Sequence, residues 1–304
     1  EGYSYQENLL PYYHKQKGHD VTIIATQYSR SPNIERLVVM PPGASMNENG
    51  IKIIRLPLEK FWPLSKRLGY YRTFYDSLAN EDPDIIFCHG CQNVGLLSLK
   101  KYRHRNPSVK LFIDNHSDFS NSAYGWVSKT IQHRLLWRYC VQRVAPYAER
   151  FYGVLPARVE FLANMYGLPR DKIELLVMGA DDELVAAAKC EEFRNSIREK
   201  YGINDDDFLI MTGGKIDAAK KQTLLLMEAV KRINREDVKL IVFGSLTWDL
   251  KLAVESSCCG ATVQYIGWIS SDESYAHFAA ADLVVFPGRH SVFWEQVVGL
   301  GIPM

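Results

Sequence analysis

Short runs of β-branched and aliphatic residues alternate along the chain with longer segments in which apolar positions recur every three or four residues. The runs predict strands at 21–25, 51–56, 84–88, 110–114 and 150–154, then at 173–178, 207–212, 239–243, 262–267 and 282–286. Most are near-continuously apolar, the pattern of strands in a parallel sheet covered on both faces. Between them the spacing predicts helices over 5–17, ending at Gly18 as a C-cap, and over 220–233. A third is predicted over 271–280, where Ser-Ser-Asp-Glu offers an N-cap and acidic residues for the first turn. This βα rhythm implies right-handed crossovers and a doubly wound α/β fold.

The rhythm falls into two halves. A polar stretch, Ala180-Asp181-Asp182-Glu183 followed by Ala186-Ala187-Ala188, carries no strand pattern and marks the expected boundary. The expected units are residues 1–184 and 185–304. The chain opens at Glu1-Gly2-Tyr3 straight into a helix and closes at Gly301-Ile302-Pro303-Met304, where another strand would follow. A short piece is therefore expected to be missing at each end.

With 304 residues, 47% apolar and 23% charged, the composition is that of a soluble globular protein large enough for two cores. A net charge of +1 gives no global field for nucleic acid, which is not an expected partner. Apolar runs are strand-sized, and residues 1–20 do not read as a signal peptide. The six cysteines, several within apolar patterns, suit reduced, buried thiols in a cytoplasmic protein. Cys88-His89-Gly90-Cys91 imitates a metal or redox motif but follows a buried strand and has no second cysteine pair, so no metal is expected.

Three segments carry candidate chemistry. Thr212-Gly213-Gly214-Lys215 to Lys220-Lys221 follows a strand and opens a helix, where glycines let amides approach a ligand and a helix N-terminus favours phosphate. Lys215, before the helix, and Lys220, expected in its first turn, could bracket a diphosphate. Phe286-Pro287-Gly288-Arg289-His290-Ser291 again leads from a strand to a helix, with Ser291 the expected N-cap and Arg289 and His290 where an anion would dock. Glu295, one turn in, could accept from ribose hydroxyls. Asp114-Asn115-His116-Ser117-Asp118 gathers polar groups at a strand's carboxyl end, and His116 could meet a sugar hydroxyl or a departing phosphate. Two further stretches, Phe61-Trp62-Pro63-Leu64-Ser65-Lys66-Arg67 and the basic, Trp-bearing helix over 124–143, suit an acceptor or peripheral contact with anionic lipid.

In this order, these segments resemble the retaining glycosyltransferases of family 4, of GT-B architecture, over essentially the whole chain. Gly2 and the helix behind it look like the family's first loop and helix, and Gly18-His19-Asp20-Val21-Thr22-Ile23 resembles its Gly-His-Glu-Val-Thr-Val. Asn115-His116-Ser117-Asp118 is similar to Thr-x-His-Asp, whose histidine contacts the donor sugar, and Met178-Gly179-Ala180-Asp181 stands for Asn-Gly-Val-Asp. Gly214-Lys215 through Lys220 matches the family's Gly-Arg through Lys, which implies the diphosphate role for both lysines. Tyr265 to Ile269, with Trp268 and Ile269, resembles the segment bordering the base. Pro287 to Pro303 corresponds to the family's two-glutamate signature with a departure. Counting back eight positions from Glu295 reaches Pro287, while aligning Gly301-Ile302-Pro303 puts Gln296 in the second glutamate's place. The His-Ser-x-x-Trp-Glu-Gln form resembles bacterial capsule-type transferases.

The resemblance implies two facing Rossmann-like domains with parallel sheets, truncated at both ends here. It also implies a metal-independent enzyme that moves a sugar, with retention, from a nucleotide-diphosphate sugar to a glycan or lipid-linked acceptor in polysaccharide biosynthesis. His116, Lys215 and Lys220 would be catalytic. Gly2, Gly214, Trp268, Ile269, Arg289, His290, Ser291 and Glu295 would bind the donor. No cofactor is implied, and the location would be cytoplasmic, at the inner face of the membrane if the acceptor is a lipid. The rivals are a nucleotide-sugar epimerase and an inactive sugar- or partner-binding homologue. A nicotinamide dehydrogenase is disfavoured because no Gly-x-Gly-x-x-Gly follows a strand.

Overall fold

The computed structural model describes residues 6–31, 34–123, 125–218, 220–288 and 291–304. They divide into two compact units, one running to Met178 and the other from Gly179 to Met304. The polar stretch read as a break opens a helix, Asp182–Ala188, whose N-cap Asp181 accepts from the amides of Glu183 and Leu184. Aspartate at that position satisfies amides that have no partner within the helix, which is why a run of acids can start an element.

In the first unit, β1 (Thr22–Thr26) is followed by a separate two-stranded hairpin of β2 (Tyr28–Ser31) and β3 (Ile34–Val39), then by β4 (Gly43–Met46) and β5 (Lys52–Leu56). β5 lies between β1, to which it is parallel, and β4, to which it is antiparallel. The four-stranded parallel sheet that follows takes β6 (Ile85–Cys88), β7 (Lys110–Asn115), β8 (Arg150–Gly153) and β9 (Ile173–Leu175) in sequence order. Leu111, Ile113 and Phe151 on its central strands are fully buried with Val141, Phe161 and Leu162 from the covering helices.

The second unit is built on β10 (Phe208–Gly213), β11 (Val238–Phe243), β12 (Val263–Tyr265) and β13 (Leu283–Val284), all parallel, in the order β12-β11-β10-β13. Successive side chains of a strand point to opposite faces. Leu209, Met211, Ile241 and Phe243 accordingly enter one core, while Ile210, Leu240 and Val242 enter another. Apolar layers on both faces are what the continuous runs encode, and every residue of β11 is buried. The helix Ser271–Ala280 starts where the pattern placed it, with Ser270 and Glu273 forming a reciprocal capping box.

The chain runs from β10 to β11 and β12 on one side and then returns to place β13 on the other side of β10. The strand order therefore reverses between β10 and β13. In doubly wound sheets, the loops leaving the carboxyl ends at such a point diverge and open a crevice.

Candidate active site

At that crevice, the loops after β10 and β13 line a cleft. Gly213, Gly214, Lys215, Lys220, Pro287 and Ser291 contribute to its walls. Gly214 holds φ +132, a conformation costly for any side chain, and a Cβ there would stand 3.6 Å from Ser291 Oγ and 3.9 Å from Lys220 Nζ. The space a side chain would take is thus the point on which the lysine and the serine converge. A second glycine, Gly244 after β11, holds φ +128, and a Cβ on it would overlap the Gly214 carbonyl. The floor of the cleft exists because these two turns approach with no side chain between them.

The two lysines differ. Lys220 is half-buried, and burial lowers its pKa against the smaller raising effect of Asp217. Lys215 is more exposed, with its side chain 51% accessible and Nζ 3.9 Å from Asp217 Oδ2. A cationic group partly stripped of water next to an empty-floored turn is an anion-binding arrangement.

Three local expectations are corrected. The helix begins at Thr223, not Lys220; Lys220 sits in the turn before it, with its amide donating to Asp217 O at 2.9 Å and its carbonyl accepting from Thr223 Oγ1 at 3.2 Å. The glycine-loop amides are also largely committed: Gly214 N–H donates to Phe243 O at 3.1 Å and Ile216 N–H to Ser245 O at 2.8 Å. The cradle is therefore made mostly of side chains. Lastly, Ser291 is not the N-cap of the next helix, Trp294–Leu300, whose cap is Phe293; its Oγ accepts from the Phe293 amide at 3.4 Å, and the residue is 4% exposed.

Glu295 and Gln296 follow in the first turn of that helix. Gln296 is buried and turned into the unit, where its Oε1 accepts from Ser274 Oγ at 2.7 Å. Glu295 is half-buried beside it. Trp268 and Ile269 lie beyond β12, outside the cleft walls; Trp268 is 58% exposed, while Ile269 packs against the core. Gly2, Arg289 and His290 lie outside the described residues.

His116 belongs to the first unit, directly after β7. Its Nε2 lies 3.0 Å from Asp114 Oδ2, and His89 Nδ1 lies 2.8 Å from the same oxygen. The Gly90 amide donates to the other carboxylate oxygen at 2.6 Å. Burial by itself would raise the Asp114 pKa, but the hydrogen bonds from His116 and His89 outweigh it and hold the group at about 2. An ionised Asp114 is acceptor-only, so both facing nitrogens carry protons and the opposite nitrogen, Nδ1, of a neutral His116 is an acceptor. Behind the cluster, Gln92 bridges Asn115 Oδ1 and Tyr166 Oη at 2.8 and 2.9 Å.

Sequence reasoning singled out His116 but missed His89 and Asp114 as its partners. The signal available was that both lie at the carboxyl ends of strands that prove adjacent. Among the described residues, these three form the one group of His, Cys, Asp and Glu side chains whose ligating atoms all fall within 4.8 Å of one another. Two nitrogens at ordinary hydrogen-bond length from one shared oxygen account for the grouping without an ion. Of the flanking thiols, Cys91 is fully buried, and burial with the charge of Asp114 pushes the Cys88 thiol up to about 12. Cys190 and Cys259 are exposed, unlike the buried thiols expected.

The fold and the site define an α/β protein with a cleft walled by lysines and a buried serine at the switch point of a parallel sheet, the place where such sheets hold ligands. Residues 5–184 match the family model for Glycosyltransferase Family 4 and residues 193–302 that for Glycosyl transferases group 1, and the chain belongs to this glycosyltransferase family. It is 21% identical over 294 residues to an uncharacterised glycosyltransferase of Methanocaldococcus jannaschii, covering 91% of this chain and 68% of that one. Among solved structures it is similar to sucrose-phosphate synthase of Thermosynechococcus elongatus, with TM-score 0.64, 16% identity, and 98% and 73% of the two chains covered. It is also similar to Anabaena HepE in complex with UDP, with TM-score 0.60, 13% identity, and 84% and 67% covered. Starch synthase IV of Arabidopsis thaliana, bound to ADP and acarbose, gives TM-score 0.62 and 15% identity over 96% and 76%. The fold is that of the GT-B glycosyltransferases.

Proposed function

We propose that this chain transfers a sugar, with retention of anomeric configuration and without a metal, from a nucleoside-diphosphate sugar to a glycan or lipid-linked acceptor in polysaccharide biosynthesis. The observation that carries the reading is the convergence of Lys220 and Ser291 on the bare Gly214 turn at the β10/β13 switch point. Among similar structures, HepE is bound to UDP and starch synthase IV to ADP, both nucleoside diphosphates.

In this reading, Lys220 and Lys215 neutralise the diphosphate as the bond from the anomeric carbon to its phosphate oxygen breaks. Charge grows on that oxygen, so preorganised cations lower the barrier. The acceptor oxygen bonds the anomeric carbon from the same face and gives its proton to the departing phosphate. His116, whose ring is oriented by Asp114, keeps the donor-sugar role implied by the family resemblance. Glu295 accepts from the ribose, since Gln296 is committed to Ser274. Gly2, Trp268, Ile269, Arg289 and His290 keep the donor roles implied by the family resemblance. The cytoplasm, where nucleotide sugars are made, is the proposed location.

Turnover tests the reading. A panel of UDP-, ADP- and GDP-sugars is incubated with the protein in EDTA, and the anomeric configuration of any product is read by NMR. Release of nucleoside diphosphate from one donor class, with retention in the product, is expected. Binding without turnover across donors and acceptors would favour the inactive homologue allowed by Pro287 at the first-glutamate position.

A further inference from the structure

The helical run 126–144 of the first unit has two apolar faces, and only one is used by the core. His133, Trp137, Cys140, Val141 and Val144 are turned inward, each at most 6% exposed. On the outer side Val127, Ile131, Leu135 and Tyr139, every fourth residue, are 56%, 48%, 63% and 50% exposed, and Trp126 at the start is 73% exposed. Single exposed apolar residues are ordinary, but a row of five along one helix is a contiguous patch. A helix facing only water would carry polar residues there.

Along the chain, the charge next to this stripe is one-sided, with Glu149 at its edge pairing Arg103 and Lys110. No acidic residue occurs between Asp84 and Asp114 or between Asp118 and Glu149, while the first stretch holds five lysines and arginines and the second four. The chain as a whole is nearly neutral at +1, so the positive charge is segregated. The helices Leu96–Arg105 and Arg138–Val144 from these stretches pack together, and an open groove between them is lined by Lys100, Lys101, His104 and Arg143 with Tyr139 and Tyr147. Among the described residues, no carboxylate lines it. Tyr139, with the Arg143 guanidinium 5.1 Å from its ring centroid, belongs to both stripe and groove, so the two form one surface.

We infer that this surface docks on a lipid bilayer bearing anionic headgroups. The stripe enters the interface, with Trp126 at the level of the headgroups, and the groove takes lipid phosphates. An apolar row rimmed by cations is what an interfacial helix presents to such a membrane. RNA would be met by planar or polar groups rather than Val, Ile and Leu. The inference goes beyond the donor reading: vesicle binding reports nothing on turnover, and failure of either leaves the other standing.

The test is co-sedimentation of the protein with vesicles of phosphatidylcholine alone or mixed with phosphatidylglycerol. Partitioning at least about tenfold higher onto the anionic vesicles is expected, falling steeply between about 0.1 and about 0.5 M salt. Leu135→Glu alone, and Lys100→Glu with Arg143→Glu, should each lower it about tenfold with unchanged melting, because these side chains do not support the core. Equal or absent binding to the two vesicle types overturns the inference, as does binding insensitive to both variants. Retention on RNA but not on vesicles would overturn it too. So would a concentration-dependent dimer abolished by Leu135→Glu, which would assign the stripe to a second copy.

Discussion

Replacing Lys220 by Met separates what the ammonium does for a ligand from what it does for the fold. Its Nζ stands 3.9 Å from where a Gly214 side chain would be, so a phosphate oxygen over the glycine falls within hydrogen-bond reach. A hydrogen bond between charged groups contributes about 1.5–3 kcal/mol. Half-burial leaves water some access, which places the loss nearer about 2 kcal/mol, or a roughly thirtyfold weaker Kd for a nucleoside diphosphate. Lys215→Met should cost less, about fivefold, because that side chain is 51% exposed and already lies near Asp217. The ligand-free protein should respond in the opposite direction. Burial depresses the Lys220 pKa, so the protonated side chain is a cost to the fold. That cost is full below the folded pKa and fades as pH rises from there toward the ordinary 10.5. Lys220→Met therefore melts slightly higher than the parent at neutral pH, with the gap closing in alkali. Calorimetric titration with UDP, ADP and GDP, paired with thermal melts, measures both. A variant that melts lower and binds the diphosphate as the parent does would refute the reasoning.

Three further perturbations follow from the same geometry. Gly244→Ala puts a methyl on the Gly214 carbonyl at φ +128, so stability should fall by about 1–3 kcal/mol in urea unfolding and diphosphate affinity at least about tenfold; unaltered affinity would show that the two turns are independent. Asp114→Asn should change the tautomer of His116, read from its imidazole 15N shifts, and lower kcat more than donor KM; it should also flatten the acid limb of stability between pH 3.8 and about 2, because the parent carboxylate stabilises the fold above that window and loses its contribution as pH falls through it. Arg198→Met removes a 3% exposed guanidinium that bonds Ala280 O, Asn204 O, Asp207 O and Asp282, and should cost about 3–5 kcal/mol, measured by urea unfolding, with diphosphate affinity per folded molecule unchanged.

What could be read from the chain was what is written in apolar continuity. β10 and β11 announce themselves because both faces are covered, and the Gly-Gly-Lys loop follows from its place after β10. The hairpin β2–β3 and the strand β4 were missed. β4 is Gly-Ala-Ser-Met, exposed along its length, and pairs through backbone hydrogen bonds that leave no mark on the side-chain pattern. The same limit applies at the site. Lys220 looked helical because the apolar spacing beyond it is helical, yet its amide is spent on a turn to Asp217. Gln296 looked equivalent to Glu295 until its bond to Ser274, far off in sequence, turned it inward. His89 and His116 meet on Asp114 only because β6 and β7 are neighbours, a fact of topology rather than spacing.

The central claim is that the β10/β13 crevice holds a nucleoside diphosphate without a metal. Amide chemical-shift mapping of the isotope-labelled protein, titrated in EDTA with UDP, ADP, GDP and pyrophosphate, tests it most directly. The account predicts that one nucleotide saturates at one per chain, that the Gly214, Lys220 and Ser291 amides move most, and that pyrophosphate competes. Silence across the nucleotides, or shifts that need added magnesium or lie away from those three residues, would contradict it.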